Sequence, residues 1–278
     1  LNKIIFSLGL IVIFAVNAVA LTVEEKQALI DKAGANWIAG ETRFSHLTIE
    51  EMRQRLGIPM PEIKGDKEVI QFSKRDDLPS YWSWLDEGWM TDVKNQLDCG
   101  ACYAFAGVAQ FEAVVRIIHD DPTMPMDLSE QAVISCSELN DGCDGGSLYN
   151  TFNFFRDEGT PDEACFPYEA ADIPCGEICY DWEERAFQID SWEYVTFSNP
   201  NVENIKNAVI QQPIYASFTI YEDFQDYAGG VYEHVYGDFV SGHAVAIVGW
   251  DDSLECWIAK NSWGEDWGED GYFRIAWD

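Results

Sequence analysis

Apolar positions along the chain change their period once. From Cys102 to Ile118 they recur at Phe105, Val108, Phe111, Val114, Val115 and Ile118, close to one per 3.6 residues, which predicts a helix with one buried face. Ser129–Ser135 and Leu148–Phe155 read as shorter helices. Asn201 is placed to cap another helix, running to about Gln211 and stopped by Pro213. Beyond that point the pattern becomes β. Ile214–Ile220 alternates, Ala244–Trp250 is a continuous apolar run, and Cys256–Lys260 and Gly271–Trp277 read as strands. A helix-rich stretch followed by a strand-rich stretch predicts an α+β fold in two lobes.

The N-terminal part has a different texture. Residues 1–20 read as a secretory signal peptide: Lys3 gives a small positive start, Ile4 to Val16 is apolar, and Ala18-Val19-Ala20 is a cleavage site. No second apolar stretch is long enough to cross a bilayer, so the mature protein is expected to be exported and free of stable membrane association. Residues 21–57 predict a helical accessory segment. Thr22 with Glu25 and Thr48 with Glu51 form two capping boxes, and Gly57 stops the second helix. Pro59, Pro61 and Gly65 break the pattern. Residues 66–77 are charged and extended, with a basic pair at Lys74-Arg75 that suits a processed linker.

Composition narrows the classes. At 278 residues, with 47% hydrophobic and 14% aromatic side chains, the chain can bury a large core. Its 49 acidic against 17 basic side chains give a net charge of −32, which repels nucleic acid and anionic membranes alike. A solvated acidic surface, adaptation to high salt and an acidic working environment all fit that charge. Export makes the eight cysteines readable as disulfides, though spacing does not give their connectivity. No Asn-x-Ser/Thr sequon occurs.

The candidate chemistry centres on Gln96-Leu-Asp-Cys99-Gly-Ala-Cys102-Tyr103. Cys102 stands at the start of the predicted helix, where the macrodipole is expected to lower its pKa. His243 follows it by 141 residues and Asn261 by 159. A thiol nucleophile, an imidazole base and an amide that orients the base are the parts needed to attack an amide carbonyl. Trp263 is placed to shield the His243–Asn261 hydrogen bond. Gln96, with the backbone N–H of Cys102, is the candidate donor to an oxyanion. A Cys-x-x-Cys redox pair or zinc site at Cys99 and Cys102 is the competing chemistry, but a thioredoxin-like βαβ context and two clear further ligands are missing.

These motifs, in this order, resemble the papain family of cysteine proteases. The resemblance implies a helical N-terminal lobe and a β-barrel-like C-terminal lobe with the active-site cleft between them. It implies disulfides Cys99–Cys143 and Cys136–Cys175, leaving Cys165 with Cys179, and Cys256 as a buried free thiol. Gly145 and Gly146 would let a peptide backbone approach closely, and Leu148, Ser217 and Ala244 would line S2. Trp37-Ile-Ala-Gly40, Phe44 and Glu50–Gly57 resemble the short propeptide of cathepsin B-like enzymes, so residues 21–77 are expected to inhibit a peptidase domain at 78–278. The implied protein is a secreted or lysosome-like monomeric endopeptidase. It acts on peptides or proteins, is held by its own propeptide, and uses no cofactor or metal.

Three departures qualify the resemblance. Tyr103 stands where Trp is usual. No long His-bearing insertion lies between Cys143 and Cys165, so the occluding loop of cathepsin B is absent. The sequence begins with Leu and stops at Asp278, where family members continue for another strand or two, including one S2 wall; a fragment or an early end to the fold is expected. A catalytically inactive peptide-binding module on the same fold is the alternative function, disfavoured because Gln96, Cys102, His243 and Asn261 are all present.

Overall fold

The computed structural model describes residues 21–58, 69–70, 72, 75, 77–196 and 201–277. The expected leader, the breakers Pro59, Pro61 and Gly65, and Lys74 of the basic pair lie outside these described residues. In chain order the elements are α1 (Val23–Ala33), β1 (Asn36–Ala39), α2 (Ile49–Arg53), β2 (Tyr81–Ser83), α3 (Cys102–His119), α4 (Glu130–Cys136), α5 (Leu148–Asp157), α6 (Trp182–Arg185) and α7 (Val202–Val209). Five strands follow: β3 (Ile214–Tyr221), β4 (Tyr227–Tyr232), β5 (Phe239–Asp251), β6 (Cys256–Lys260) and β7 (Tyr272–Ala276).

Local rules set most of the boundaries. α1 and α2 start on the Thr22/Glu25 and Thr48/Glu51 capping boxes, with both reciprocal bonds made. α1 ends on Gly34 in the left-handed region. α3 has no side-chain cap at Ala101 and depends on packing instead, since Cys102 through Val108 are all buried. At Gly107 a Cβ would meet Thr151 and Phe155 at 2.8 and 3.0 Å, so this glycine lets α3 and α5 touch.

The strands form a seven-stranded sheet in the order β1-β4-β7-β6-β5-β2, with β3 paired to β5. Among the described strand pairs, only β4–β7 is parallel. The path runs from β1 to β2 and does not return, so the sheet is open rather than closed into a barrel. The thirteen-residue β5 branches the sheet. Its first part carries β3 and its last part carries β6 and β2, so one long strand serves three partners.

A second correction concerns the N-terminal segment, which is not wholly helical. Residues 36–39 form β1 and add to the sheet edge, with Asn36 opposite Val231. Trp37 sits among Tyr227, Tyr232 and Tyr236, with ring centroids 6.4, 5.4 and 6.4 Å away. Ile30, Phe44, Met52 and Leu56 enter the same core as Phe224, Trp263, Trp267 and Phe273. Beneath α1, Lys26 Nζ pairs with Asp226 at 2.8 Å, both largely buried.

The helical lobe has its own core around Phe105, Phe111, Leu128 and Phe155. Three disulfides tie its loops together: Cys99–Cys143, Cys136–Cys175 and Cys165–Cys179. Cys102 and Cys256 are free and buried. Among the described residues no helix is long and apolar enough to cross a membrane.

Candidate active site

Cys102 opens α3 at the seam between the lobes. Its thiol lies against the backbone amides of Ala244, on β5, and Gly57, on the N-terminal segment. His243 precedes Ala244 on β5, so the sheet brings the imidazole to the helix start. His243 Nε2 is 2.8 Å from Asn261 Oδ1, while Nδ1 is buried and makes no hydrogen bond. Nδ1 is thus the nitrogen left to exchange a proton with a thiol. Trp263 covers the pair, its ring centroid 4.9 Å from that of His243, and Phe44 covers Trp263 at 4.7 Å.

Gln96 is locked to the same cluster. Its backbone N–H donates to Ser262 O at 2.8 Å, and Ser262 Oγ donates to its Oε1 at 2.6 Å. Ser262 N–H also donates to Asn261 Oδ1 at 2.8 Å, so one serine fixes both amide side chains. Tyr168 adds a bond from its hydroxyl to Gln96 O at 2.6 Å. Ser262 and Tyr168 were missed by the sequence reading. Ser262 stood beside Asn261 in the motif and was available as a signal; Tyr168 carried none.

Residues 53–58 run across this cluster. Gln96 Nε2 donates to Arg55 O at 2.7 Å and to Cys99 O at 2.9 Å. Gly146 N–H donates to Gly57 O at 2.7 Å, and a Cβ on Gly145 would lie 2.5 Å from that oxygen. On the other wall, Ile58 bridges Gly242 and Arg53 Nε donates to Val240 O at 2.9 Å. The segment therefore touches both lobes and excludes water from the thiol.

Burial at this site favours the neutral forms of both groups. Burial pushes the Cys102 thiol up to about 11, against the weaker lowering effect of the surrounding amides. Burial also lowers His243 to about 4, opposed by its bond to Asn261. Both shifts favour the neutral thiol and the neutral imidazole in this covered form.

The residues expected to line the substrate pocket lie beside this cluster. Leu148 and Ser217 line a cavity of about 1220 Å³ with Ile58 at its edge. Ser217 and Ala244 stand opposite each other on β3 and β5, so the two side chains share a face of the sheet. Ala244 also borders a pocket of about 10 Å³ with Glu112, Glu130, Lys260 and Asn261. Lys94 Nζ holds Glu112 and Glu130 there at 3.1 and 3.0 Å.

Comparison with known proteins agrees with this geometry. Residues 78–278 match the family described as papain family cysteine protease. The chain is 34% identical over 274 residues to Cathepsin B-like CP2 of Giardia intestinalis, covering 94% of this chain and 90% of that one. Its structure resembles the digestive procathepsin L2 proteinase of Tenebrio molitor larval midgut, with TM-score 0.74, 29% identity and coverage of 91% and 83% of the two chains. The fold is also shared with proCathepsin B S9 of Trypanosoma congolense, at TM-score 0.78, 24% identity, and coverage of 92% and 93%. On the strength of the family match and the identity to its relatives, the chain belongs to the papain family of cysteine proteases.

Proposed function

We infer that this protein is an exported cysteine endopeptidase made as a zymogen. Residues 1–20 direct export, residues 21–77 inhibit, and residues 78–278 carry out peptide hydrolysis. The observation that carries this reading is the path of residues 55–58, which lie over Gln96, Cys102 and Gly146 and occupy the donors a substrate would need.

Once the cover leaves, water and substrate reach the site. His243 Nδ1 takes the Cys102 proton, and Asn261 holds the imidazole through Nε2. The thiolate attacks the substrate carbonyl carbon. The oxygen gains negative charge and is met by Gln96 Nε2 and the Cys102 backbone N–H, donors already in place at the helix start. Collapse of this intermediate breaks the C–N bond, and His243 returns the proton to the departing amine. Water, deprotonated by His243, then hydrolyses the thioester and restores the thiol.

The test compares hydrolysis of fluorogenic peptides by the full chain before and after removal of residues 21–77, with Cys102→Ala as control. Activity that appears on removal and is absent from the variant is expected. Full activity before removal would refute the zymogen assignment, and activity in the variant would refute the nucleophile.

A further inference from the structure

We propose that Tyr103 is a positioning residue for substrate binding: its hydroxyl sets the loop that presents Gly146 N–H to the substrate backbone. The inference rests on the peptidase reading above. It goes beyond that reading by giving the residue next to the nucleophile a role in affinity rather than in bond making.

The covering segment shows which donor is at stake. Gly146 N–H donates to Gly57 O at 2.7 Å, a main-chain carbonyl that leaves with the N-terminal segment. A substrate carbonyl is the group that would take its place. The donor lies close to the thiol, since the backbone amide of the same Gly57 faces Cys102.

Gly146 has no side chain to hold it, and Gly145 before it stands at φ 132°, a conformation open chiefly to glycine. The position of the N–H is therefore set by what surrounds the loop. Tyr103 acts on it in two ways. Its hydroxyl donates to Gly142 O at 2.8 Å. Its ring lies against Gly146, where a Cβ would stand 2.6 and 2.7 Å from Cδ2 and Cε2. Tyr103 is fully buried, and burial pushes the phenol well above its usual range, so the hydroxyl stays a donor.

The hydroxyl is not needed merely to satisfy Gly142 O, which also accepts from Gly145 N–H at 3.3 Å. What it adds is a tie from α3 to the loop. Other ties hold the neighbouring residues. Asp172 Oδ1 accepts from Cys143 N–H at 2.7 Å, and Cys143 O accepts from Gly100 N–H at 2.9 Å. Beyond Gly146, Asn140 Oδ1 accepts from Ser147 N–H at 3.1 Å. Tyr103 alone among these runs from the residue after the nucleophile to the loop that carries Gly146, so it fixes thiol and backbone donor relative to each other. A tryptophan, usual at this position in the family, carries no hydroxyl to make this bond.

The experiment uses enzyme processed from the full chain and compares it with Tyr103→Phe, which keeps the ring and removes the hydroxyl. One substrate is a fluorogenic tripeptide amide, which has carbonyls beyond the one attacked. The other is nitrophenyl acetate, which has none. Loss of one hydrogen bond should lower kcat/KM for the tripeptide about three- to tenfold, through KM rather than kcat. Acylation of Cys102 by the ester should change far less. Inhibition by a peptide spanning residues 21–77 should weaken by a factor similar to that for the tripeptide, an arm that needs no turnover by the variant. Equal losses on both substrates would overturn the proposal, because the hydroxyl would then act on the thiol or on the fold as a whole. No loss on the tripeptide, or unchanged inhibition, would overturn it too. If the wild-type enzyme leaves the tripeptide intact while the ester still acylates Cys102, the peptidase reading fails first and takes this inference with it.

Discussion

Gly57 and Gly100 meet backbone to backbone across the cleft. A Cβ built on Gly57 would stand 1.4 Å from Gly100 O, so no side chain fits between the covering segment and the wall beside Cys102. Gly57→Ala should therefore displace the cover. The strain of overpacking, about 1–3 kcal/mol, predicts a rise in activity of the uncleaved chain of about tenfold or more. The check is peptide hydrolysis before any processing is visible on a gel. Unchanged latency would show that contacts elsewhere hold the segment in place.

Cys102→Ala should abolish turnover of processed enzyme, because the thiol forms the bond. Asn261→Ala should leave measurable activity, lowered by about 10²-fold, because Asn261 only orients His243 through the 2.8 Å bond. Steady-state kinetics on one peptide would decide both. An Asn261 variant as inactive as the Cys102 variant would contradict this division of roles.

Acid should release the cover. His243 is lowered to about 4 by burial, against an ordinary 6.5. The covered form thus binds fewer protons, is favoured above pH 6.5, and loses ground as pH falls from 6.5 towards 4. One proton gives about tenfold in affinity per pH unit across that window. At the alkaline end Cys102, raised from 9 to about 11, makes the covered form lose ground as pH climbs from 9 to 11. The inhibition constant of a peptide spanning residues 21–77, measured against processed enzyme, should be tightest between these windows. A flat profile from pH 4 to 7 would exclude His243 as the linked group.

Lys26→Met should weaken the same inhibition. The change leaves Asp226, 4% exposed, without its buried partner. Breaking a buried pair costs about 3–5 kcal/mol, which predicts a loss of about 10²-fold or more in affinity. Lys26→Arg, which keeps the charge, should recover part of it. Equal inhibition by all three peptides would mean that α1 docks through its apolar face alone.

Cleavage should be internal. Between Cys143 and Cys165 the chain holds α5 and no insertion, so no loop there blocks one end of the cleft. Mass spectrometry of a long unstructured peptide should show internal cuts first. Stepwise loss of C-terminal dipeptides would refute this.

Strong local signals carried well from sequence to structure. The Thr22/Glu25 and Thr48/Glu51 boxes and the strand Cys256–Lys260 could be located from a few neighbouring residues. β1 could not. Only Trp37 and Ala39 of its four residues are buried, too short an alternation to register, and its partner β4 lies about 190 residues away. The protonation of Cys102 in the covered form depends on distant residues for a related reason. The helix dipole is local, but the burial that outweighs it is made by residues distant in the chain, among them Ala244 and Gly57, whose backbone amides face the thiol. Gly57 itself passed for an ordinary helix stop, because nothing near it in the chain reveals Gly100 on its other side.

The pairing of β1 with β4 has a cost that appears only after processing. While the chain is whole, β4 is flanked by β1 and β7. Losing residues 36–39 strips one side of β4 and empties the socket that Trp37 fills between Tyr227, Tyr232 and Tyr236. On the proposed processing, the active enzyme would carry a row of unpaired amides and carbonyls beside an aromatic hollow, a template for another strand to join. On that reading activation exchanges latency for stickiness, and the heavy negative charge of residues 78–278 would oppose the approach of two such edges.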